Sequence, residues 1–483
     1  MARHLTPLQK LLGDSSFPSN RARVAAPLVI SDEIKFEHTW LLAGPGSGKT
    51  SFFYKEILEN LEKPNPPAQV IIDPKGTMLE QLSRLQMFDP VDGLHRDRLV
   101  IIDIGDFANL PAMNMFRHPD PARYKTFNGA ERQRIINNTI NMLSYAFDSR
   151  EHTLTPPMVT CFKHACRLLF SFQRPVTMKD LLDVLGEPVD TASKSQYYQT
   201  IMGLPPEAES TKRFMLTKFY RELKLTRQGI DNRLQGILAD PMLNQIFSAK
   251  DRKIDLFRYM QERKTVIISV PLGMLDGESG TLISRYMVAL TLSSAFERLT
   301  IPKAQWTPAF LFVDEFQEVA DEIQSPRLLR TAREYRLGMF VANQDVDAIP
   351  SKLRSALSAA TGTKYASTLG GVDLNFMSRE MRTTSEFLAG VRADRQKKIA
   401  YFACFVRSEM ARPTIVSIPF GNNIDKLPRM SDARYAMLLE RNSAAISMPT
   451  DWDAQPDQQP DNQENPPASS EGPPEPGTTE SGW

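Results

Sequence analysis

Cysteine is scarce: Cys161, Cys166 and Cys404 are the only three in 483 residues. They cannot form a disulfide framework, and no Cys-x-x-Cys pair exists to frame a structural zinc site. A reducing, cytoplasmic setting is therefore expected. Long apolar runs are missing too. Spanning a bilayer takes about 18 consecutive apolar residues, and the best stretches, 265–270 and 287–296, are short enough to read as core. The first twelve residues have scattered basic side chains but no apolar stretch and no small-residue cleavage site, so they do not read as a secretory signal. Histidine, at six, gives one grouping near cysteine: His152, Cys161, His164 and Cys166. Cys161 and His164 can share a helix face but Cys166 points away, so a helical core with incidental Cys and His is expected in place of a metal site. Basic residues are absent from 449–483, a stretch of Pro, Gln, Ser and eight carboxylates that cannot bury enough surface to order itself; disorder is expected there. Without that tail the chain has 58 basic against 49 acidic residues. This excess permits a polyanionic partner without demonstrating one.

The chain is rich in a different signal. Ala43-Gly44-Pro45-Gly46-Ser47-Gly48-Lys49-Thr50 follows an apolar run at 38–42 and precedes a helical pattern from Ser51. Strand, glycine loop and helix are what a phosphate-binding loop requires. The glycines let backbone N–H groups face phosphate oxygens, and the helix N-terminus adds positive potential. Gly44, Pro45, Gly46, Ser47, Gly48, Lys49, Thr50 and Ser51 are the candidate nucleotide contacts. Lys49 would reach the β- and γ-phosphates of ATP, and the Thr50 hydroxyl would ligate Mg2+. Ala43 stands where the strict pattern has Gly, a substitution small enough to be tolerated.

Two further apolar runs end in carboxylate or amide. Phe310-Leu311-Phe312-Val313 leads into Asp314-Glu315, and Gly338-Met339-Phe340-Val341-Ala342 leads into Asn343-Gln344. Given a phosphate loop upstream, Asp314 is placed to orient the magnesium shell and Glu315 to polarise a water for attack on the γ-phosphate. Gln344 both donates and accepts, so it could sense that phosphate. Between them, Arg330 and Arg333 share a helix face in a segment that also holds Arg336. Asp73-Pro74-Lys75-Gly76 reads as a turn after a strand, with no catalytic step assigned.

Strand signals at 70–73, 99–103, 265–270, 309–314 and 338–342, a further β pair at 398–407 and 414–419, and a helix at 280–298 surround a stretch whose apolar spacing is helical, at 130–147, 158–172 and 214–237, with shorter helices at 177–185 and 193–202. The fold expected is α/β: a RecA-like ATPase domain with a mostly parallel sheet, split by an all-α insertion. The divisions are 1–36 (lead-in, turning into a strand near 27–30), 37–121 and 258–425 (the two halves of the ATPase domain), 122–257 (insertion), 426–448 (C-terminal helix) and 449–483 (acidic tail).

The motifs GPGSGKT (44–50), IIDPKG (71–76), LFVDEF (311–316) and TAREYRLGMFVANQ (331–344) resemble those of the HerA–FtsK superfamily of P-loop DNA pumps, and most of all the coupling-protein ATPases of type IV secretion and conjugation, of TraD or TraG type. The resemblance covers about residues 25–425. It implies a ring, a hexamer, that hydrolyses ATP at subunit seams to move DNA through a basic channel. Arg333, with Arg330 and Arg336 as rivals, would act in trans on a neighbour's nucleotide. Partners implied are DNA, further copies of the chain, type IV secretion components and a relaxase complex recruited by the tail. Such proteins usually begin with a membrane anchor. None is expected here, which leaves two alternatives open for a cytoplasmic protein: a separate membrane partner that holds it peripherally at the inner membrane, or purely soluble work. Loop 273–277 would lie near the ring pore. Alternatives are a secretion ATPase engaging protein cargo and a nucleotide-gated adaptor with little hydrolysis, against which the Asp314-Glu315 pair argues.

Overall fold

Strands β1 (Thr39–Ala43), β2 (Ala68–Asp73), β4 (Thr265–Ser269), β5 (Ala309–Val313), β6 (Leu337–Asn343) and β7 (Thr363–Ser367) are buried along their whole length. This is why most of them appear in the sequence as unbroken apolar runs: in a parallel sheet both faces are covered by helices. The computed structural model describes residues 30–147, 154–270, 277–319 and 325–448. Among these, β1–β7 with β3 (Leu99–Asp103), β8 (Ile399–Val406) and β9 (Thr414–Pro419) form one sheet in the order β3-β4-β2-β5-β6-β1-β7-β8-β9. Every pairing from β3 to β7 is parallel, and β7-β8-β9 closes the sheet as an antiparallel meander.

Alternation along each strand sends neighbours to opposite faces. On β5, Ala309, Leu311 and Val313 enter one core, while Phe310 and Phe312 enter the other. The second core is closed by helix α1 (Lys49–Leu61), through Phe52, Phe53 and Ile57. The first is continuous with the helical insertion: α3 (Gly129–Ala146), the helices Pro156–Leu169 and Met178–Gly186, and α4 (Gly277–Phe296) share it with Trp40, Val70 and Ile72. A buried histidine ties the sheet's entry edge together. His38 Nδ1 accepts from the Met339 N–H at 3.1 Å, so Nε2 carries the proton and donates to the Leu329 carbonyl at 2.6 Å. Burial pulls its pKa down to about 4, with the Leu329 hydrogen bond opposing.

Several expectations are refined. The run 214–237 is not one helix. Glu209–Phe214 passes into a π-helical turn, Met215–Phe219, and Lys224–Leu238 starts afresh. The wide turn lets the adjacent Phe219 and Tyr220 both be buried. Likewise 193–202 resolves into a 3-10 turn, Ala192–Lys194, and the short helix Tyr198–Met202. Strand β7, Thr-Lys-Tyr-Ala-Ser, was invisible as an apolar run. Its buried Lys364 is satisfied by Glu380, the last residue of helix α5 (Gly371–Glu380), at 3.3 Å and by the Ser358 and Thr361 carbonyls, and burial lowers its pKa to about 8. The C-terminal helix α6 (Asp432–Ile446) lies along edge strand β3. There the Asn442 side chain accepts from the Ile101 N–H at 2.8 Å and donates to the Ile101 carbonyl at 2.7 Å, masking that edge. His164, of the Cys/His grouping, stacks on Phe214 at 4.1 Å and bonds the Thr211 hydroxyl at 3.0 Å, while Cys161 and Cys166 are buried free thiols. His152, the strand expected near 27–30, loop 273–277 and the acidic tail lie largely or wholly outside the described residues. No helix among the described residues is long and apolar enough to cross a membrane.

Candidate active site

Four strand ends converge. In a parallel sheet the carboxyl ends of neighbouring strands share one edge, where ligands collect. Here β2, β5, β6 and β1 are consecutive neighbours, so Lys75, Asp314, Gln344 and the glycine loop are delivered together.

The loop leaves β1 at Ala43 and enters α1 at Lys49. Gly46 (φ 67°) and Gly48 (φ 94°) adopt left-handed backbone conformations that L side chains resist. A Cβ on Gly46 would sit 2.7 Å from Arg395 Nη2, and one on Gly48 2.6 Å from the Ala400 Cβ. The cradle is thus closed from above by Arg395 and by Phe420, which follows β9. Pro45 and Gly46 form its exposed tip. The Ser47 hydroxyl is buried without a hydrogen-bond partner. An orphaned buried hydroxyl in a glycine loop that leads into the N-terminus of a 13-residue helix is a fitting surround for a phosphate. Lys49 is buried and folds back to donate to the Ala43 carbonyl at 3.1 Å. Burial lowers its pKa, while the Glu315 and Asp314 carboxylates oppose the shift. Thr50 is half-buried beside it. The Ser51 hydroxyl accepts from the Gly421 N–H at 2.8 Å, so it holds the segment after β9 against α1.

Asp314 and Glu315 follow β5 and are both buried. Burial, then the neighbouring Glu315 charge, raise the Asp314 pKa. A divalent cation would remove that cost, and the Thr50 hydroxyl with the Asp314 carboxylate is a suitable oxygen donor set for Mg2+. Glu315 has φ 51°, a left-handed conformation rare for a residue with a side chain. Its Oε1 accepts from Gln344 Nε2 at 2.5 Å and Lys75 Nζ at 2.9 Å, and Oε2 accepts from Gln317 Nε2 at 2.9 Å. Burial pushes its pKa up, but these three hydrogen bonds and the Lys49 charge outweigh it and hold the carboxyl below its usual range. The network continues inward. Gln317 Oε1 accepts from Asn343 at 2.6 Å, and Asn343 Oδ1 accepts from the Trp40 indole at 3.1 Å, linking β5, β6 and β1.

Of the candidate residues, the loop with Lys49 and Thr50, Asp314, Glu315 and Gln344 come together. Arg333 does not join them. It lies in the 3-10 turn Arg333–Tyr335 before β6, at the opposite edge of the sheet, paired with Glu37 at 3.0 Å. The seven residues of β6 separate the two edges by about 20 Å. Arg330 is exposed nearby, and Arg336 turns the chain into β6 with φ 53°. Gln317 and Arg395 belong to the site but were not singled out, while Lys75 was read only as part of a turn and Asn343 only as the amide before Gln344. For Lys75 the only local hint was its turn after an Asp-ended strand; contact with Glu315 depends on β2 and β5 being neighbours.

Neither a family profile nor a curated protein sequence matches the chain. Solved structures do. The plasmid coupling protein TrwB in complex with ADP and Mg2+ has 14% sequence identity and a TM-score of 0.55, over 86% of this chain and 92% of that one. The bacterial conjugative coupling protein TrwB lacking its first 70 residues, unbound, gives 14% and 0.54 over 84% and 89%. TrwB with the non-hydrolysable GTP analogue GDPNP gives 15% and 0.52 over 86% and 92%. The chain therefore has the fold of a conjugative coupling protein, as its motifs led one to expect.

Proposed function

We propose that the chain is an ATP hydrolase of the coupling-protein type, working as a ring motor that delivers DNA to a conjugative or type IV secretion apparatus. One observation carries the reading: Lys49, the Asp314-Glu315 pair and Gln344, far apart in sequence, meet at one sheet edge beside the glycine loop. Mg2+ held by Thr50 and Asp314 would neutralise charge on the phosphates of ATP. Lys49, released from the Ala43 carbonyl, binds the β- and γ-phosphates. Glu315 takes the proton of an attacking water, and Gln344, bonded to that carboxylate, couples its position to the γ-phosphate. Arg333, exposed at the far edge, would serve a neighbouring copy's site in place of its own. The likeness to TrwB, solved with ADP and Mg2+, supports the cofactor assignment. The basic excess of residues 1–448 is compatible with a polyanionic cargo, and the full Glu315 network supports hydrolysis over an adaptor role.

The test is ATP turnover of the full chain with Mg2+, with and without single- and double-stranded DNA, across a salt series. Turnover stimulated by DNA and losing that stimulation as salt rises is expected. Turnover indifferent to DNA at low salt would remove the DNA cargo.

A further inference from the structure

Lys75 stands in the turn between β2 and helix α2 (Thr77–Ser83). The turn's backbone is fixed. Asp73 accepts from the N–H groups of Lys75 at 3.3 Å, Met78 at 2.7 Å and Leu79 at 2.9 Å, and Gly76 completes the bend with φ 73°. The side chain is differently placed: it is 54% exposed, yet its ammonium reaches across to the buried Glu315. A carboxylate offers about four acceptor positions. Three on Glu315 are taken, and both on Oε1. Gln317 and Gln344 are neutral, and Gln317 is itself held by Asn343. Lys75 is the cationic donor of the three and the most exposed of them.

We propose that Lys75 is a positioning residue that restrains Glu315 in the resting molecule, and that a phosphate polymer, binding where the lysine is exposed, draws the ammonium away and frees Oε1 for the attacking water. This rests on Glu315 being the general base. A carboxylate paired with a cation is a poorer proton acceptor than one bonded to neutral amides. Lys75 also lies within electrostatic reach of Lys49, so two cations flank one carboxylate and the outer one is the more easily competed for. A polyanion competes for the ammonium by charge, and the basic excess outside 449–483 permits its approach.

The experiment compares the full-length wild type with Lys75→Met, which keeps the stem and removes the charge, and Lys75→Arg, which keeps the charge. Without nucleic acid, Lys75→Met is expected to raise kcat about fivefold, the worth of one half-exposed ion pair, with KM for ATP unchanged. Stimulation by a single-stranded oligonucleotide is expected to shrink by the same factor, and Lys75→Arg to behave as wild type. A merely structural lysine would lower kcat or leave it unmoved. DNA-free kcat at or below wild type in Lys75→Met, with Glu315→Gln inactive, overturns the restraint. Normal hydrolysis by Glu315→Gln would instead overturn the base assignment beneath it.

Discussion

Two kinds of residue set limits: glycines that leave room in the phosphate loop and, at the opposite edge of the sheet, a histidine that must stay neutral. Gly48 combines φ 94° with an Ala400 Cβ 2.6 Å from where its own would be. Gly48→Ala is therefore expected to displace β8 or the loop and to weaken ATP binding at least tenfold in a titration with a fluorescent analogue. Gly46→Ala meets the far end of a flexible arginine and should cost less. His38, buried with a pKa pulled down to about 4, is neutral when folded, whereas an unfolded histidine titrates near 6.5. Its contribution to stability is complete above pH 6.5 and is lost as pH falls from there to about 4, where it reaches about 3 kcal/mol. His38 has a left-handed backbone (φ 62°) that Asn tolerates, so His38→Asn should be less stable at pH 7.5 but show a shallower loss of unfolding free energy between pH 6.5 and 4. Equal slopes in denaturant titrations would show that His38 does not carry the dependence.

At the scale of elements, α6 does for edge strand β3 what a further strand would. One amide, Asn442, satisfies both the N–H and the carbonyl of Ile101. Asn442→Ala should destabilise the protein by about 1–2 kcal/mol, read as a lower denaturant midpoint with unchanged slope. No change would mean water replaces the amide freely. This scale also explains what could be read from sequence. The phosphate loop and the Asp-Glu strand were legible because each is local: a few consecutive residues fix both shape and chemistry. Strand β9 was legible to its ends, and β8 to within a residue, by their apolar and β-branched content. Strand β7 was not, because its lysine is neutralised by Glu380 and two carbonyls supplied from elsewhere. The π turn at Met215–Phe219 was hidden because helical spacing resumes beyond it. Lys75 went unassigned because a turn acquires a role only once the strand order is known.

The whole molecule places its candidate catalytic residues at one edge of a sheet and Arg333 at the other. A single copy cannot bring that arginine to its own nucleotide without unfolding β6, whereas a ring of copies can bring it to a neighbour's. Arg333→Ala alone is expected to be inactive. Mixed with Glu315→Gln, which still supplies the arginine, it should recover part of the wild-type turnover; no recovery over a range of ratios would argue against action between copies. Releasing the Arg333 pair with Glu37 would accompany assembly, at little cost for so exposed a contact. Beneath all of this stands the claim that Lys49 grips a triphosphate which Glu315 helps to cleave. Steady-state ATP turnover by full-length Glu315→Gln, measured beside its ATP affinity, tests it most directly. Turnover at least 100-fold below wild type with affinity retained is the expected result; turnover within twofold of wild type would contradict it.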